Sequence, residues 1–118
     1  MKIKWNEPYG FWYTKKVLDD VHTAYRQCKG VYIIWVHNGP VVYVGSGDID
    51  RLWDHLDESW IPNYQNLVAN YAIINGNDPD IWRGIERYLA EELSPKEGKE
   101  HPEDVDTINV NLPDNFSY

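Results

Sequence analysis

Two tripeptides, Gly30-Val31-Tyr32 and Tyr43-Val44-Gly45, stand on either side of the turn in an otherwise apolar hairpin. Two aromatics on neighbouring strands serve packing in an ordinary core hairpin, and a site that handles water or phosphate oxygens can also use both, because each hydroxyl donates and accepts. Arg51 and His55 are four residues apart and so share one helix face. A guanidinium clamps phosphate and an imidazole moves protons near neutral pH. Glu86 lies in "DIWRGIERYLAEEL". At about 100° per residue, Trp82, Ile85, Leu89 and Leu93 fall in one narrow stripe, and Glu86 falls inside it. Glu91 points the opposite way and Glu92 to the flank, where helix charges belong. A carboxylate in an apolar stripe costs several kcal/mol unless it is paired or binds a metal. Glu86 is therefore salt-bridged to Arg51 or Arg87, placed where the stripe opens to water, or a cation ligand over the sheet.

These groups need elements to hold them. Asn38-Gly39 marks the hairpin turn. A two-residue type I′ loop would use the N–H of Pro40, which proline lacks, so the expected loop spans four residues, 37–40. That loop pairs Val36 with Val41 and Ile34 with Tyr43. Side chains alternate along a strand, so Tyr32 shares a face with Ile34 and Tyr43, and the two tyrosines become diagonal neighbours. Residues 1–13 read as aromatic-rich and irregular. A helix is expected over about 15–28, capped by Thr14 and closed before Gly30. A second should run from about 49 to 58, capped by Ser46 or Asp48, with Ile49, Leu52, Trp53 and Leu56 apolar. Ile61-Pro62-Asn63 breaks the chain, and "LVANYAIING" predicts a strand near 67–74. A third helix over about 79–94 follows, closing at Ser94-Pro95. "PKEGKEHPEDVD" reads as a loop and "TINVNLP" as a short edge strand.

The 118 residues make one domain, 1–118, with an N-terminal helical extension over about 1–28. Six Trp and nine Tyr provide for a packed interior. No apolar run reaches the ~18 residues that a membrane helix needs. No apolar stretch follows the first two lysines, so no signal peptide is expected and the chain reads as cytoplasmic. A single cysteine, Cys28, excludes a disulfide framework and a cysteine-based zinc site. Net charge is −8: residues 1–47 carry six Lys/Arg against three Asp/Glu (+3), and residues 48–118 carry five against sixteen (−11). Phosphate contact depends on Lys and Arg, so any nucleic acid would be met from the N-terminal part, with Lys29 as a contact beside Arg51.

Taken in order, GVY (30–32), YVG (43–45), Arg51 and His55 on a helix, Glu86 on a later helix and the asparagines of "INVN" (108–111) resemble the GIY-YIG nuclease superfamily. The resemblance covers about residues 29–112. It implies an α/β fold, a small, mainly antiparallel three-stranded sheet flanked by helices. It also implies hydrolysis of a DNA phosphodiester with one divalent cation, Mg²⁺ or Mn²⁺. Tyr32 would be the general base and Tyr43 would position water or phosphate. Arg51 would neutralise the phosphate, His55 would assist proton transfer, and Glu86 would hold the cation. Asn109 or Asn111 would brace the site. A phenol titrates near ~10, and a cation and an arginine beside it favour the phenolate. The segment from Tyr43 to Arg51 is shorter than is usual in the family, and the loop after Glu86 is longer. With an acidic chain and no appended DNA-binding domain, the partners expected are DNA and a protein that supplies DNA affinity. The alternative is a catalytically silent module of the same fold acting through protein contacts.

Overall fold

The computed structural model describes residues 1–6, 9–10, 28–49, 51–55, 58–98 and 101–113. The helix expected over 15–28 lies outside the described residues, apart from Cys28. Four antiparallel strands form one sheet: β1 (Tyr9–Gly10), β2 (Lys29–Val36), β3 (Val41–Asp48) and β4 (Leu67–Ile73), in the order β1-β4-β2-β3. The three long strands are those expected, and β1 adds a two-residue edge beside β4. Two helices are described, α1 (Arg51–Asp54) and α2 (Pro79–Leu93), with a 3-10 turn at Ile61–Asn63. The described part of the second expected helix is thus only one turn long.

Strand alternation divides the interior into two clusters. Val31, Ile33, Trp35, Val44, Val68 and Ala72 point to one face, where Trp82, Ile85, Leu89 and Leu93 of α2 cover them. Tyr32, Ile34, Ala69 and Tyr71 point to the other face and meet Ile49 and Leu52. Asn70 is a fully buried polar residue. It accepts from Trp35 Nε1 at 2.8 Å and donates to the Asn6 carbonyl at 3.0 Å, which satisfies its amide. α2 begins at Asp78, whose carboxylate accepts from the Asp80 amide, and ends at Ser94 in a left-handed conformation.

The hairpin keeps the expected four-residue connection, 37–40, and departs from expectation in its pairing. Val36 N–H donates to the Pro40 carbonyl at 2.9 Å, and Gly39 N–H donates to the Val36 carbonyl at 2.7 Å. Asn38 in this connection sits at φ 61°, and the missing Pro40 N–H leaves the Val36 carbonyl free for Gly39. Trp35, not Val36, then faces Val41, and a bulge between Ile34 and Trp35 restores Ile34 opposite Tyr43.

The edge strand expected at 107–113 does not form. Ile108 N–H instead donates to the Gly84 carbonyl at 3.0 Å, so the segment is committed to α2. Beyond α2 the chain turns back along β3, where Lys96 N–H bonds Val41 O at 3.1 Å and Glu97 N–H bonds Val42 O at 2.8 Å. No helix among the described residues is long and apolar enough to cross a membrane.

Candidate active site

The β2–β3 register sets Tyr32 opposite Gly45 and Ile34 opposite Tyr43, which brings the two phenol rings together. They stack with centroids 6.3 Å apart and planes 10° from parallel. Gly45 has a steric reason to be glycine. A Cβ there would stand 2.4 Å from Tyr32 Cζ and 2.5 Å from its Oη, so the bare backbone makes the bed on which the ring lies. Tyr32 is 3% exposed, and its Oη meets His55 Nε2 at 3.0 Å. The other ring nitrogen of His55 lies 3.3 Å from a Glu58 carboxylate oxygen. The imidazole also packs against Tyr43, at 4.3 Å between centroids, and Trp60 stacks on Tyr43 at 6.0 Å.

Tyr32, Tyr43, Arg51, His55 and Glu86 all line one open pocket of about 340 Å³, together with Ser46 and Glu58. Burial pushes the Tyr43 phenol up, and the Glu86 and Glu58 carboxylates push it further, against a smaller opposing pull from Arg51. Tyr43 therefore keeps its proton at neutral pH and has a hydrogen to donate. Glu86 is half-buried beside the end of β3. Burial pushes its carboxyl up, while hydrogen bonds from the Ser46 hydroxyl and amide, and the charges of His101 and Arg83, pull the other way. Among the described residues Glu86 is ion-paired to neither arginine named above. Arg87 turns away to Glu91 and to the carbonyls of Glu103 and Val105.

Three expected site residues lie elsewhere. Asn111 uses its side chain as a strand would use its backbone, accepting from Ile3 N–H at 2.7 Å and donating to Ile3 O at 2.9 Å. Asn109 is exposed, and its carbonyl takes the N-terminal ammonium at 2.9 Å. Neither lines the pocket; both fasten residues 1–5 to the chain that follows α2. Lys29 is ion-paired with Asp48, its cross-strand partner, and does not line the pocket either.

Sequence reasoning missed Glu58, and took Ser46 only as a cap. The spacing of Glu58 three residues beyond His55 was a usable signal. Gly98 had none: it sits in the charged loop, yet a Cβ on it would stand 2.1 Å from the Tyr43 ring. His101, from the segment that follows, bears on the site through its charge, which pulls the Glu86 carboxyl down.

No three His, Cys, Asp or Glu residues cluster as a cation cage among the described residues. That is compatible with Mg²⁺ or Mn²⁺ in a phosphate site, where one or two carboxylates suffice because water and substrate oxygens complete the shell. Glu86 has the required chemistry, a carboxylate steadied by Ser46 and facing a polar pocket. No family model, curated protein or solved structure matches the chain.

Proposed function

We propose that this chain is a metal-dependent DNA endonuclease of GIY-YIG type that hydrolyses phosphodiester bonds. The observation that carries the reading is the partly buried Tyr32–His55 hydrogen bond in a pocket that also holds Tyr43, Arg51 and Glu86. His55 Nε2 takes the phenolic proton, and the Tyr32 phenolate takes a proton from the attacking water. Arg51 neutralises the phosphate oxygens and Tyr43 donates to one of them. Glu86 holds the divalent cation. When bound, the cation supplies positive charge for the oxygen that leaves. With a net charge of −8, affinity for DNA comes from a protein partner or from low ionic strength.

The test is incubation of the purified chain at low salt with duplex, single-stranded and branched DNA, with Mg²⁺, Mn²⁺ or EDTA. Cleavage is expected with metal only, and Tyr32→Phe and Glu86→Gln should each reduce it by at least ~10²-fold. Folded protein that neither cuts nor gains thermal stability from Mn²⁺ would favour the second reading, a silent module acting through protein contacts. What supports that second reading is the acidity of the pocket wall, where Glu58 and Glu86 face a single arginine among the described lining residues.

A further inference from the structure

We infer that Glu58 is a positioning residue for this reaction, holding His55 in the tautomer whose Nε2 lone pair takes the Tyr32 proton. The inference rests on the nuclease reading and adds a member to the machinery. Neutral imidazole carries one N–H, and its two nitrogens face different groups here. Nε2 is 3.0 Å from Tyr32 Oη and Nδ1 is 3.3 Å from Glu58 Oε1. An ionised carboxylate only accepts, so its bond to Nδ1 requires the proton on Nδ1 and leaves Nε2 as an acceptor. In the opposite tautomer Nε2 would donate to Tyr32, and the phenol could not pass its proton to the ring. Local backbone supports the alignment: Glu58 N–H donates to the His55 carbonyl at 3.1 Å, which sets the two side chains one turn apart.

The proton transfers balance. The Tyr32 O–H bond breaks and its proton goes to Nε2, giving an imidazolium whose charge faces Glu58. Tyr32 then takes a proton from water as the water oxygen bonds phosphorus. The bond to the departing oxygen breaks, that oxygen takes a proton from solvent, and His55 releases its own. The His55 side chain is 12% exposed and that of Glu58 is 45% exposed. Exposed pairs contribute little to stability, so the role of Glu58 should appear in ring state and rate rather than in folding.

The experiment is long-range ¹H–¹⁵N correlation of the histidine rings in the full chain near neutral pH, for the parent, Glu58→Ala and Tyr32→Phe, with His55 assigned from His55→Gln. The parent and Tyr32→Phe should show a protonated Nδ1 and an unprotonated Nε2, and Glu58→Ala a mixture of tautomers. In the cleavage assay Glu58→Ala should lower kcat about tenfold with KM unchanged, a fraction of the ~10²–10⁴ that a general base contributes. An unchanged tautomer, or unchanged kcat in a variant whose parent cuts, overturns the role. A parent that cuts nothing while the tautomer still follows Glu58 overturns the nuclease reading itself, and the catalytic role goes with it.

Discussion

The two faces of the sheet come from the same strands and differ in what they are built from. Toward α2 the residues are mainly aliphatic, with Ile33, Ile85 and Leu89 fully buried, and the cluster closes on itself. At the pocket the rings are those of Tyr32 and Tyr43, with Trp60 stacked on Tyr43, and the polar groups of Ser46, Arg51, His55, Glu58 and, reaching over from α2, Glu86 line the opening beside them. Alternation by single residues, Val31 against Tyr32 and Val44 against Tyr43, is enough to separate the two tasks.

Substitutions on opposite sides should therefore fail differently. Ile85→Ala empties the aliphatic cluster and should cost about 2–5 kcal/mol, read as a lower urea midpoint. Gly45→Ala puts a methyl against the Tyr32 ring and should cost about 1–3 kcal/mol. Because the ring must shift from the place where it meets His55, cleavage should fall further than the loss of stability explains. Glu86→Gln should act with the smallest and opposite sign. Burial raises this carboxyl above its ordinary 4.5, so the folded chain holds a proton that the unfolded chain has lost. Stability from this group is present below the ordinary value and is lost as pH rises through the folded one. Without added metal, the variant should melt higher than the parent near pH 7, and the gap should close as pH falls below about 4, seen by thermal melts across pH. An equal gap at all pH values would remove burial as the cause.

Much of this division is legible in sequence because it follows period. The strand at 67–73, the helix from Asp78 to Ser94 and the anomaly at Glu86 come from alternation, capping and the 3.6-residue repeat. The diagonal approach of Tyr32 and Tyr43 follows from Ile34 facing Tyr43, which held although Trp35 rather than Val36 faces Val41. The bulge that compensates carries no distinct residue pattern. Asn111 was misplaced because an asparagine that bonds Ile3 and one that braces a pocket read alike in a single sequence. The contact of Gly98 with Tyr43 depends on how the charged loop folds back, which no local pattern encodes.

The last strand of this sheet has a consequence for how copies of the molecule meet. β3 ends the strand order, and an end strand normally offers spare backbone groups to any passing strand. Here the carbonyls of Val41 and Val42 are taken by Lys96 and Glu97, and the Ser46 amide is taken by Glu86. Three of the groups through which a further strand could pair with β3 are thus engaged by the chain itself. The carboxylate proposed to hold the cation is also one of the groups that cover the open edge of β3.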